Sequence, residues 1–173
     1  MKPQLGDTIL NRYTLVSSLR EEPGIQAWKA NDRVLAKDCQ LFIITNRSAF
    51  AAIDELAGRM AATRPDRVIP VLKYRMESDV LLIVMPVDSG QCLTDYMVDT
   101  AKPLSYSAIR SIIGECANVL REVIADTPSG IVITTDTVRV TTSGVQIADA
   151  PCATMLADTS ATDLRTDGPE RYA

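Results

Sequence analysis

Histidine is missing from all 173 residues of this chain. Its absence excludes a Ser-His-Asp triad, a Cys-His dyad and any histidine-ligated metal site. The four cysteines, Cys39, Cys92, Cys116 and Cys152, are widely spaced and form no C-x-x-C pair. Cys39, Cys92 and Cys116 have apolar neighbours, which predicts reduced, mostly buried thiols. There is no basic block and the formal net charge is −4, so nucleic acid is not an expected partner. The longest apolar runs, such as Val80–Met85, fall far short of the roughly 20 residues of a membrane span. Met1–Asp7 lacks the apolar core of a signal peptide. A cytoplasmic protein with no direct membrane insertion is expected.

What is present is an ordinary apolar fraction, 46%, enough for one core or two small lobes. The most ordered stretch runs from Val71 to Met97. Val71–Met76 suits a strand. Glu77-Ser78-Asp79 is a polar turn. Val80–Met85 is apolar on both faces and predicts a strand inside a sheet. Pro86 lacks a backbone donor and closes that ladder. Asp88-Ser89-Gly90 is a loop, and Leu93, Thr94, Asp95 and Met97 suit the start of a helix.

Upstream, Tyr13–Leu19 and Ile25–Ala30 predict a hairpin around Glu21-Glu22-Pro23-Gly24, and Cys39–Ile44 a third strand. Asn46 or Ser48 can cap a helix over residues 49–62, with Phe50, Ile53, Leu56, Ala57 and Met60 as its buried stripe. Downstream, Thr100–Pro103 is a loop, and Ser105 or Ser107 caps a helix reaching to about Ala125. Ile109, Ile112, Ile113, Cys116, Leu120, Val123 and Ile124 recur at helical spacing, predicting its buried face. Val138–Val140, a turn at Thr141–Gly144, and Val145 onward form a last hairpin. Residues 151–173 are rich in Thr, Ser, Asp and Ala and have no apolar period.

Taken in this order, the pieces resemble a bacterial Ser/Thr protein kinase. Arg12-Tyr13, Leu15, Leu19 and Trp28–Asp32 fit its opening "R-Y-x-L-x-x-x-L … x-V-Y-x-A-x-D". Leu82–Met85, Val87–Gly90 and Cys92–Met97 fit the hinge. Arg64–Val71 fits "H-P-x-I-V-x-V" without its histidine, and Asp167–Ala173 looks like "G-T-P-x-Y-x-A". The implied fold is α+β: a kinase-like antiparallel N-lobe sheet with one helix, plus a partial helical C-lobe. The expected division is an N-lobe over 1–87, a partial C-lobe over 88–150 and an activation-segment-like tail over 151–173. The missing C-lobe helices imply a truncated protein or a fragment of a longer one.

The catalytic parts of that family have no counterparts here. Arg20–Gly24 replaces the glycine-rich loop with one glycine and two carboxylates, which would repel a triphosphate. Phe42 falls at the strand lysine, and Lys37 reads as a solvated side chain in the preceding turn. Glu55 falls at the helix glutamate without a lysine to pair with. The H-R-D loop is absent over Ser129–Val140, with Thr137 at the magnesium asparagine and Asp136 a tempting but misplaced base. Asn118 is the last asparagine of the chain. Asp149 falls at the metal-binding aspartate, followed by Ala150 and Pro151 in place of Phe-Gly, and one carboxylate is a poor magnesium site.

The resemblance therefore implies a pseudokinase with no catalytic residue, cofactor or metal. It is similar to kinase-like domains attached to lipid II flippases, which implies a membrane tether through a longer parent chain. It also implies a regulatory or docking role with a protein partner, a Ser/Thr kinase or a forkhead-associated domain. Thr154, Thr159, Thr162 and Thr166 are the candidate phosphorylation sites. Two other readings stand beside it: a residual ATP-binding or atypical Ser/Thr kinase module, and an α+β protein-interaction domain unrelated to kinases.

Overall fold

The computed structural model describes residues 3–77, 79–87, 90–99, 104–126 and 131–153. The chain divides into two compact units, Met1–Pro65 with Ile69–Ser89, and Asp66–Val68 with Gly90–Ala173.

The first unit is an antiparallel six-stranded sheet carrying one helix. Its strands are β1 (Thr8–Ile9), β2 (Tyr13–Glu22), β3 (Ile25–Asp32), β4 (Lys37–Ile44), β5 (Lys73–Met76) and β6 (Leu81–Pro86), in the order β1-β2-β3-β4-β6-β5. β6 lies between β4 and β5, and Leu81–Met85 are all buried, as its two-sided apolar run predicts. Lys37 opens β4 and is exposed, so it stands in the strand rather than in the turn before it. The chain enters helix α1 (Phe50–Thr63) through a 3-10 turn at Arg47–Ala49. Asn46 caps that turn by accepting from the Ser48 N–H, which leaves Ser48 outside the capping role. Phe50, Ile53, Ala57 and Met60 face inward; Leu56, expected with them, is only half-buried.

Side chains alternate across β4. Cys39, Leu41 and Ile43 join Tyr13, Leu15, Trp28, Ala30, Leu82 and Val84 in one cluster, which Ile9, Leu10 and Val80 partly cover. Phe42 and Ile44 belong to the opposite face by the two-residue period. Tyr74 and Ile83 are cross-strand partners, as are Ile83 and Phe42, so these residues share that face. The Tyr74 hydroxyl lies against Gly58 of α1, which places α1 there too.

The second unit holds α2 (Leu93–Asp99), α3 (Tyr106–Asp126) and a three-stranded antiparallel sheet. Its strands are β7 (Gln91–Cys92), β8 (Val138–Thr141) and β9 (Gly144–Ile147), with β8 central. Ser105 starts α3: its hydroxyl accepts from the Ala108 N–H at 3.2 Å and its carbonyl from Ile109 N–H at 3.0 Å. The expected buried stripe of α3 is only partly buried. Of that stripe Val123 is covered, and Val119, not expected there, is buried beside it, whereas Ile109, Ile113 and Ile124 are 41%, 63% and 53% exposed. The first half of the stripe instead walls an open apolar groove of about 370 Å³ with Leu93, Met97 and Leu104. Cys92 and Cys116 are likewise half-buried rather than buried. The loop expected at Thr100–Pro103 and the Thr-rich tail from Thr154 onward lie outside the described residues.

Candidate functional site

In the first unit the sequence singles out Phe42 and Glu55. Phe42 is 1% exposed, paired across the sheet with Ala27 on β3 and Ile83 on β6, both buried. An ammonium at this point would lose its water, and burial disfavours the charged form. The aromatic ring makes the position part of the core. Glu55 stands on the outer side of α1, and Arg59 Nη2 donates to its Oε1 at 2.5 Å. This is an i,i+4 surface pair, the ordinary use of a glutamate on a solvated helix face.

The opening motif has a structural explanation. Arg12 donates to Asp32 twice, from Nε at 2.9 Å and from Nη2 at 2.6 Å. Asp32 also accepts from the backbone N–H groups of Val34 and Leu35. The Arg12 hydrogen bond, with help from those two N–H groups, holds the Asp32 carboxyl below its usual range. This fork ties the start of β2 to the end of β3. Burial pushes the nearby Cys39 thiol up to about 11, with Asp32 and Asp38 adding to the effect, so it is inert at neutral pH.

The β2–β3 hairpin turns at Pro23-Gly24, where Gly24 has φ +79°. Its carbonyl accepts from the N–H groups of Thr45 at 2.8 Å and Asn46 at 3.2 Å. The tip is thus tied to the end of β4. A cavity of about 630 Å³ lies beside it, with Glu21 and Glu22 among its lining residues. Two carboxylates at the tip oppose the binding of a phosphate chain.

In the second unit, residues 134–137 form a tight turn closed on itself. Thr137 is buried; its hydroxyl accepts from Thr134 N–H at 2.9 Å and donates to Thr134 O at 3.1 Å. The hydroxyl of Thr137, which the resemblance sets at the magnesium asparagine, therefore serves the turn. Asp136 Oδ1 accepts from the Thr94 hydroxyl at 2.7 Å, in the first turn of α2, and its backbone carbonyl accepts from Arg139 Nη1. The carboxylate that tempts as a base thus anchors a helix start.

Asp149 follows β9 in a left-handed backbone conformation, φ +57°, and is 6% exposed. Arg139 Nη2 lies 3.8 Å from Asp149 Oδ2, with both side chains largely buried. No motif signalled this partner, because Arg139 stands on β8 and Asp149 lies beyond the end of β9. The chain's own cation stands beside the carboxylate that the resemblance assigns to metal. Among the described residues no group of three or more His, Cys, Asp or Glu side chains could hold a metal ion. Within the second unit, Thr137 is committed to its own turn and Asp149 has Arg139 beside it.

The candidate phosphorylation sites Thr154, Thr159, Thr162 and Thr166 lie outside the described residues. Among those described, no helix is long and apolar enough to cross a membrane.

No family model matches the chain, and no curated protein matches it. Among solved structures it is similar to the kinase domain of Mycobacterium tuberculosis PknI. Against a cysteine-to-alanine variant of that domain the TM-score is 0.71 at 17% identity, covering 88% of this chain and 64% of that one. A second structure of the PknI kinase domain gives 0.69 at 16% identity, covering 87% and 62%. The fold is protein kinase-like, α+β with an antiparallel N-lobe sheet. The chain spans less than two thirds of the solved domains it matches.

Proposed function

We propose that this chain is a pseudokinase, a kinase-like fold that transfers no phosphate and works as a regulatory docking platform. The observation that carries the reading is Phe42, sealed into the sheet at the position that the resemblance gives to the family's lysine. Phosphoryl transfer depends on placing and neutralising the phosphates, and a buried phenyl ring does neither. The closed turn at Thr134–Thr137 supports the same reading. A thermal-shift series with ATP and magnesium tests it. No rise in melting temperature is expected. A ligand at a hundred times its dissociation constant stabilises a fold by about 2.7 kcal/mol, so a clear rise would favour a residual nucleotide-binding module instead.

The docking role is supported by the Thr-rich composition of residues 154–166. A phosphothreonine adds about −1.5 to −2 charge and three acceptor oxygens, which suits an arginine-bearing forkhead-associated domain. The test is to phosphorylate the protein with a Ser/Thr kinase, map the sites and measure binding to such a domain. Binding is expected to vanish when Thr154, Thr159, Thr162 and Thr166 all become alanine. Unmodified threonines, or binding that survives the four substitutions, would remove the docking role.

A further inference from the structure

We propose that Arg139 is a resident cation, supplying Asp149 with the positive charge that an active kinase takes from a divalent ion. The inference rests on the inactive reading above and names what replaces the metal. Asp149 is a nearly buried carboxylate on a left-handed residue. A buried carboxylate is costly unless a cation compensates it. Arg139 lies across from it at 3.8 Å, itself largely buried. The same guanidinium donates through Nη1 to the Asp136 carbonyl. One side chain thereby links the turn at Thr134–Thr137 to the segment that opens at Asp149. That segment is a turn, with Cys152 N–H donating to Asp149 O at 2.8 Å, and residues 150–153 are buried. A guanidinium cannot be deprotonated in a protein, carries donors in a rigid fork, and does not depart with a nucleotide. The segment after β9 is accordingly held in one arrangement without metal or nucleotide.

The test follows thermal melting of the full chain, without nucleotide, in EDTA and in millimolar Mn²⁺. The variants are Arg139→Gln, Asp149→Asn, the double variant and Arg139→Lys. In EDTA each neutral single variant is expected to melt lower by roughly 5 °C or more, because it removes one partner of a largely buried ion pair. The double variant should lose less than the sum of the two. The wild type should melt alike in EDTA and Mn²⁺. If Arg139→Gln does not fold, Arg139→Lys carries the test: it keeps the charge but not the fork, and should fold and melt below the wild type, without a response to Mn²⁺. Additive losses in EDTA, a wild type stabilised by Mn²⁺, or a lysine variant as weak as the glutamine one would each overturn the proposal. Phosphate transfer by the wild type would overturn the inactive reading alone, since the coupling in EDTA does not depend on it.

Discussion

Arg67 and Glu115, 48 positions apart in the chain, meet at 2.7 Å through Nη1 and Oε2. The same Oε2 accepts from the Val145 N–H at 2.8 Å. Arg67 is held at φ +59°, and its carbonyl accepts from Ile147 N–H at 2.9 Å. Glu115 thus joins α3, β9 and the short segment at 66–68 within the second unit. Gly144, at φ +120°, makes room for it: a Cβ there would collide with the Glu115 carboxylate.

Gly144→Ala should therefore destabilise the protein by about 1–3 kcal/mol, from a strained backbone and a displaced carboxylate. Glu115→Ala should cost about 1–3 kcal/mol by stripping the Val145 N–H of its partner. The double variant should fall short of the sum, since both act on one contact. Urea midpoints measure all three; a Gly144→Ala protein within about 0.5 kcal/mol of the wild type would speak against the account.

At Phe42 the expected effect is larger. Phe42→Ala should cost about 3–5 kcal/mol, the usual loss for a buried phenyl ring. Phe42→Lys should destabilise as well, since it buries an ammonium between Ala27 and Ile83. It should gain no thermal response to ATP and magnesium. Chemical denaturation with and without nucleotide checks both statements.

Acid should weaken the first unit through Asp32. Its folded carboxyl titrates below the unfolded one, chiefly because Arg12 hydrogen-bonds the charged form. The stability from this pair is therefore complete above the unfolded value, from about pH 5 upward, and drains away as the pH falls through the lower folded value. Asp32→Asn should flatten the loss of stability between about pH 5 and pH 2. A variant with the wild-type slope over that range would contradict this.

The open side of α3 gives a contrast within one helix. Ile113 is 63% exposed and Val123 fully buried. Ile113→Asp should change stability by no more than about 0.5 kcal/mol, whereas Val123→Asp should prevent stable folding. Circular dichroism melts distinguish the two.

The order of strands and helices was legible because each carries its own pattern: alternation along β2 and β3, largely apolar runs in β4 and β6, and helical spacing in α1 and α3. What alternation cannot signal is a two-residue strand, so β1 and β7 went unseen. The apolar stripe of α3 was legible, but periodicity marks which side chains could be buried, not which are; Ile109 and Ile113 kept the pattern without the cover. Phe42 and Asp149 were placed by the spacing of their neighbours. Their surroundings were not readable, because Arg139 and Asp149, like Arg67 and Glu115, are joined by the fold and leave no local motif. The Arg12–Asp32 fork is the intermediate case: both residues stood in the opening motif, and only the hairpin register shows that they serve each other.

The central claim is that this kinase-like chain moves no phosphate. The most direct measurement is radiolabel transfer from the γ-phosphate of ATP with magnesium, to the protein itself and to a general protein substrate, beside an Asp149→Ala control. The account predicts incorporation no higher than in the control. Magnesium-dependent incorporation by the wild type that Asp149→Ala abolishes would contradict it.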